Sequence, residues 1–400
     1  MRPPSPLPCP PLKLPKNSMK PSHTTVHRLT ATGAPPPSRG TGVSLHGHTL
    51  HSREGMLFIP RIAAGLPPLR AAIDLAARRR GCQAGIDGVD WTRLFWTPPL
   101  APRQAFELEA GQLRSLGLTP LVSLTDHDDI SAPVHLNALP ELAGRVPISV
   151  EWTFPFRGTF FHVGLHNLPA AHALEIWTHL AAATRLGDEA ELLNRLAEVR
   201  DTRGTLVVLN HPFWDEKGIG QARHEAALLS LLKTVGACFD ALEWNGFRPS
   251  AENQRAFDCA QQLGFPVVSG GDRHGLEPNS CVNLSAAASF EDFTAEVRHE
   301  RRSEMLLLPH HFQRHSLRVI HHIWEILRDD PDHGYGWERW DERVFFTGRD
   351  GVDRSLREYW GDRPPAIVKA FIQLVHLMGH QPVRQAVRAA LSFGQQESGS

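Results

Sequence analysis

Residues 119–129 read TPLVSLTDHDD, an apolar run that stops abruptly at Asp126-His127-Asp128-Asp129. Leu121, Val122 and Leu124 have the character of a short buried strand, and the charged cluster begins where that strand should end. Carboxylates gathered around one histidine repel each other unless cations or hydrogen bonds compensate. Read alone, the cluster is equally a solvated acidic turn with a helix cap.

The same pattern recurs on both sides. Upstream, GVSLHGHTLHS places His46 and His48 after an apolar run. Downstream, PISVEWTF carries Glu151, FFHVGL carries His162, LVVLNHP carries His211, ALEWNG carries Glu243, and VVSGGDRHG carries Asp272 and His274. In an extended strand residues i and i+2 share a face, so His46 with His48, and Asp272 with His274, are expected to project together. By the same alternation Arg273 should point away. Singly, each is a common buried polar group. Together they are ordered sites, each ending a strand and nearly all His, Asp or Glu.

Apolar runs alternate with helical patterns from Val43 onward, which predicts an α/β fold with a mainly parallel sheet or barrel. Strands are expected at 43–47, 119–125, 147–153, 159–165, 205–210, 239–244, 266–271 and 281–285. Helices are expected at 68–80, 103–116, 171–183, 188–200, 221–235, 250–263 and 290–299. The Pro-, Ser- and Thr-rich residues 1–40 predict a disordered extension. Residues 41–299 would form the barrel, with an inserted segment at 55–100 whose Trp91, Phe95 and Trp96 could cap its mouth. Residues 300–400 read as helical. There Ile367, Ala370, Phe371, Leu374, Val375 and Met378 form an apolar stripe expected to pack on the barrel.

Among the 400 residues, 41% are apolar, enough for a sizeable core, and the formal net charge of −1 gives no global field toward nucleic acid or membrane. The five cysteines (Cys9, Cys82, Cys238, Cys259, Cys281) form no CxxC pair, which argues against a disulfide framework or thiolate zinc site and fits a reducing cytoplasm. MRPPSPLPCPPLKLPK lacks the apolar segment of a signal peptide, and the apolar stretch 367–378 is too short to span a bilayer. Histidine, at 23 residues, is the abnormal count, and it is the commonest metal ligand.

In this order, HGHTLHS, LTDHDD, VEWTF, FFHVGL, LNHPFW and GGDRHG resemble the PHP (polymerase and histidinol phosphatase) superfamily of metal-dependent hydrolases, over roughly residues 43–285. The resemblance implies a distorted (β/α)7 barrel. It implies that His46, His48, His127, Glu151, His162, His211, Asp272 and His274 bind two or three divalent ions, with Glu151 bridging two. A mixed imidazole and carboxylate shell suits Mn, Fe or Zn better than Ca. Paired ions would activate a hydroxide and aim it at phosphorus. The expected activity is hydrolysis of a phosphomonoester or a nucleotide-sized phosphodiester, with His46, His48, Asp126, Glu151 and Asp272 as the catalytic set. Asp126 and Asp128 would orient imidazoles. Glu243 and Asn245 would be structural or bind substrate.

One departure concerns Ser52, which small phosphoesterases of that superfamily follow with Asp; here Arg53 and Glu54 follow. Gly55 permits a turn that would present Glu54 as the missing ligand, whereas Arg53, always protonated, can only bind substrate. The expected partner is a small phosphorylated substrate, with a short oligonucleotide as a further candidate and Arg157, Arg248 and Arg273 as anion-binding residues. Two other readings remain open: an amidohydrolase-type enzyme, which would need a bridging lysine that Lys217 and Lys233 do not supply, and a metal-stabilised binding module.

Overall fold

The apolar runs that carry the polar motifs all form strands in the computed structural model, which describes residues 22–29 and 40–379 apart from 66–69, 72, 73, 76, 77, 80–84, 362 and 365. In chain order these are β1 (His23–Arg28), β2 (Thr41–Ser44), β3 (Glu54–Gly55), β4 (Leu94–Trp96) and β5 (Thr119–Val122). Next come β6 (Ile148–Phe156), β7 (Thr159–Leu168), β8 (Leu206–Asn210), β9 (Ala241–Asn245) and β10 (Val267–Gly270). The chain continues with β11 (Cys281–Ser285), β12 (Arg302–Leu307), β13 (Val344–Thr347) and β14 (Asp353–Ser355).

The fold is mixed α/β. Two five-stranded sheets, ordered β1-β12-β11-β2-β5 and β10-β9-β8-β7-β6, carry the core, and a third, four-stranded sheet is ordered β14-β13-β4-β3. Among the described residues no single continuous sheet closes into a barrel. Nor are the sheets mainly parallel as expected: β7 runs antiparallel to β6 and β8, and β11 antiparallel to β2 and β12. The reason is local. Only Arg157 and Gly158, both with positive φ, separate β6 from β7, and so tight a hairpin can return the chain only antiparallel.

The two large sheets meet at the ends of their strands. His127 bridges Glu151, and Asp128 N donates to Glu151 O at 3.0 Å. At the other seam Gly271 N donates to Leu45 O at 2.8 Å, and Gly47 bridges Arg273. The polar motifs are therefore what stitches the sheets together. Helices cover the outside. Pro102–Ser115 buries Ala105, Phe106, Ala110 and Leu113, Gln221–Val235 buries Leu228, Leu231 and Leu232, and Phe290–Arg298 is fixed by a reciprocal cap between Ser289 and Asp292.

Two further expectations are corrected. Residues His23–Arg28, expected to be disordered, pair in parallel with β12, with Val26 packed against the main apolar cluster while His23 and Arg28 at the strand ends stay exposed. The region after residue 300 is not purely helical: β12 belongs to a main sheet, and β13 and β14 join the inserted segment's β3 and β4. The insertion thus packs with the C-terminal region, where Trp96, Ile326, Trp340, Val344 and Ile372 form one apolar cluster. Most of the predicted helix at 68–80 and the side chains of Ile367, Phe371, Leu374, Val375 and Met378 lie outside what is described; Ala370 is exposed. No helix among the described residues is long and apolar enough to cross a membrane.

Candidate metal centre

The ligand-bearing residues converge where the two sheets meet. β6 supplies Glu151 and β7 supplies His162, both within strands rather than at their ends. His46 and His48 follow β2, His127 follows β5, His211 follows β8, and Asp272 and His274 follow β10. The i, i+2 argument is therefore not what aims them. His46 (φ 65°), His211 (φ 26°) and Asp272 (φ 54°) sit in left-handed backbone, which non-glycine residues adopt at a cost that concentrates at functional sites.

Four groups of side chains place their ligand atoms within 4.8 Å of one another: His48, Glu54, His127 and His274; His46, His48 and Asp272; His46, Glu151 and His211; and His127, Glu151 and His162. Glu151 Oε2 lies 2.9 Å from His46 Nε2 and 3.2 Å from His127 Nδ1, while its Oε1 lies 3.2 Å from His211 Nε2 and 3.5 Å from His162 Nδ1. Glu54 Oε2 lies 3.0 Å from His274 Nε2 and 3.4 Å from His127 Nε2. All the ligands named from the sequence thus come together, Glu54 among them. Arg53 points outward, pairing with Asp353 at 3.0 Å over the Phe95 ring.

The residues present fit a bound metal. His48 Nε2 is buried without a hydrogen bond, 3.4 Å from Asp272 Oδ1 and 3.5 Å from Glu151 Oε2. A buried imidazole nitrogen facing two carboxylate oxygens has unfilled coordination, and an imidazole and carboxylate donor set suits a divalent transition ion. The charge balance agrees. Burial opposes ionisation of Glu151, Glu54 and Asp272, yet the surrounding imidazoles outweigh it and hold all three carboxyls well below their ordinary range. At His46 burial also acts against charge, but Glu151, Glu243 and Asp272 hold its pKa well above normal. At His48 burial and the neighbouring His274 win, pushing it down to about 4.

Asp126 and Asp128 do not orient imidazoles as expected. Asp126 accepts from Thr49 N at 2.5 Å and Thr49 Oγ1 at 2.7 Å, and burial raises its carboxyl to about 7. Asp128 Oδ1 accepts from Thr153 N at 2.8 Å, and Asp129 Oδ1 from Ser131 N at 2.6 Å. These carboxylates shape turns, because each lies within reach of an unpaired backbone N–H. The orienting role falls to Glu243. Its Oε1 accepts from His46 Nδ1 at 2.6 Å, and its Oε2 accepts from His211 N at 2.8 Å and Asn245 Nδ2 at 3.0 Å. Asn245 Nδ2 also donates to Asp272 Oδ2 at 3.0 Å. Gly270 makes room for this: a Cβ there would overlap the Glu243 carboxylate.

Sequence reasoning missed Asn210, whose Nδ2 donates to Glu151 Oε1 at 2.9 Å, and Glu216, which lies 3.7 Å from His162 Nε2 with burial raising its carboxyl to about 7. Asn210 immediately precedes the His211 motif, a usable signal; Glu216 lies in an irregular segment with none. Of the expected anion binders, Arg273 is buried against Glu109 at 3.3 Å and loop carbonyls, Arg248 is held by Glu252, and Arg157 sits in the β6–β7 turn. Cavities open onto the cluster. One of about 250 Å³ is lined by Phe58, Trp96, Trp214, Phe247, Val319 and Ile323 together with Glu54, His127, His211 and Asp272.

No family model matches the sequence, and no curated protein matches it. Solved structures similar to the chain include a proposed metal-dependent phosphoesterase from Bifidobacterium adolescentis, 16% identical, covering 67% of this chain and 98% of its own at a TM-score of 0.36. PsfC from Pseudomonas syringae is 17% identical, covering 71% of this chain and 97% of its own at 0.37. An amidohydrolase from Chromobacterium violaceum is 14% identical, covering 45% of this chain and 84% of its own at 0.30.

Proposed function

We propose that this chain is a metal-dependent phosphoesterase with a PHP-type architecture. The observation that carries the reading is the set of four overlapping ligand groups, sharing Glu151, His46, His48 and His127, at the mouth of cavities large enough for a small substrate. A purely structural metal site is closed and smaller. The strand arrangement supports the distorted barrel of seven: β2, β5, β6, β7, β8, β9 and β10 follow one another by ladders, with short bridges at the β5–β6 and β10–β2 seams.

Divalent ions held here would lower the pKa of water and neutralise charge building on a phosphoryl group. The chain's own residues do the rest. Glu151 offers one oxygen to His46 and His127 and the other to His162 and His211, so it is placed to join two ligand groups. Glu243 fixes the His46 tautomer, with Nδ1 protonated and Nε2 turned inward. Asn245 holds Asp272 and Glu243 in register. Trp96, Trp214 and Phe247 line the cavity beside the ligands, where they exclude water from an organic leaving group.

Mn, Zn and Fe are the ions this donor set favours, two or three per chain, and the substrate class is a phosphomonoester or small phosphodiester. The amidohydrolase reading is weakened because the shared position belongs to Glu151 and Lys217 is exposed outside the ligand groups. The test is a panel of phosphomonoesters, phosphodiesters and cyclic amides assayed with Mn, Zn and Mg. Hydrolysis of a phosphate ester that disappears in Asp272→Asn supports the reading; turnover of amides alone contradicts it.

A further inference from the structure

Beside the metal centre, a second cavity of about 340 Å³ shares Phe247, Asp272, His274 and His322 with the apolar one and is otherwise lined mainly by the helix His315–Leu327 and the segment after β10, with Gly246, His310 and Gln313 at its edge. Four arginines line the cavities that open onto the ligand groups. Arg53 is paired with Asp353, Arg248 with Glu252 and Arg273 with Glu109. Arg318 differs: among the described residues its guanidinium makes no ion pair and no hydrogen bond, and it lies 5.9 Å from the centre of the Phe247 ring. Carboxylates in the same cavity are committed elsewhere. Glu325 Oε2 accepts from Leu276 N at 3.1 Å and lies 3.5 Å from Arg328, and Glu277 lies 3.7 Å from His321. Burial lowers the Arg318 pKa, with Cys281 and the Asp272 carboxylate acting against that shift, so the guanidinium feels the edge of the metal centre.

A half-buried guanidinium with its donors unspent, on the wall of a cavity that opens onto a hydrolytic centre, is a recognition group for an anion. Its place in the first turn of a helix adds positive potential. We infer that Arg318 binds a second anionic group of the substrate, a carboxylate or a phosphate distinct from the ester that is cleaved. This rests on the phosphoesterase reading and narrows it: the substrate carries a scissile phosphate at the ligand groups, an organic body against Phe247, and a further anion in the Arg318 cavity. Because Arg318 belongs to the C-terminal region, that region sets specificity rather than merely covering the sheets.

The experiment compares phenyl phosphate with 3-carboxyphenyl phosphate, which differ by one anion, in the metal-loaded wild type, Arg318→Met and Arg318→Lys. Separately, inorganic phosphate is titrated calorimetrically into the metal-free proteins. The inference expects Arg318→Met to raise KM for the carboxylated ester about tenfold or more with kcat and the phenyl phosphate constants unchanged, and Arg318→Lys to keep part of the preference. It also expects phosphate binding by the metal-free protein to weaken about tenfold in Arg318→Met. Equal effects on both esters, or an unchanged phosphate titration with normal thermal unfolding, overturn it. If the wild type hydrolyses neither ester, the phosphoesterase reading fails, and the titration still decides whether Arg318 is an anion site.

Discussion

Glu243 Oε1 and His46 Nδ1 lie 2.6 Å apart, each about 1% exposed, where the middle of β9 faces the turn after β2. A carboxylate at that nitrogen selects the tautomer that leaves Nε2 free to ligate and raises its basicity. Glu243→Gln should therefore weaken metal binding by about ten- to one-hundredfold without unfolding the protein. Gly270→Ala, which drives a methyl into the same carboxylate, should do the same. Competition with a fluorescent chelator measures both, and wild-type affinity in both variants would remove Glu243 from the site.

Glu54 and Arg53 separate cleanly. Glu54 reaches His127 and His274, while Arg53 is engaged with Asp353 and Phe95. Glu54→Ala should lower bound metal by one ion per chain. Arg53→Ala should change neither metal content nor KM. Elemental analysis after gel filtration reads the first, steady-state kinetics the second, and a sharp KM rise in Arg53→Ala would reassign that residue to substrate.

Asp126 carries a pH signature. Burial raises its carboxyl from an ordinary 3.8 to about 7, so the folded state holds a proton that the unfolded state releases between those values. The stability this contributes is full below about pH 4 and is lost as pH rises through about 7. Asp126→Asn can keep both Thr49 hydrogen bonds without titrating. Thermal unfolding of metal-free protein should show Asp126→Asn gaining on the wild type by about 3 °C or more between pH 5 and pH 8. A constant difference would show that Asp126 does not titrate in that range.

β1 gives a stability test. Val26 packs against the largest apolar cluster and pairs with Met305 of β12. Val26→Asp should place a charge on that face and lower the melting temperature by about 2–5 °C. An unchanged melting temperature would mean that β1 adds nothing to the fold.

The legible parts of the sequence were those where local pattern and tertiary environment agree. The runs before His46, His211 and Asp272 are buried strands and the run before His127 is buried from Val122 onward, and each motif's polar residues could be named because nothing apolar competes with them there. What stayed hidden was set by distant partners. β1 is six residues with half-exposed side chains, and only β12, far along the chain, makes it a strand. β3 and β4 are two and three residues long and exist because β13 pairs with β4, which in turn pairs with β3. The mistaken roles of Asp126 and Asp128 have the same origin: acidic residues beside a histidine look like its partners, but left-handed backbone at Asp128 turns the carboxylate to Thr153.

The most direct measurement is the metal content of the reconstituted protein beside that of Glu151→Ala, the variant that removes the shared carboxylate. The account predicts at least about two divalent transition ions per wild-type chain and fewer than about one in Glu151→Ala, since one oxygen or the other of Glu151 serves two of the four ligand groups. Less than one ion per wild-type chain after reconstitution, or equal contents in the two proteins, would contradict it.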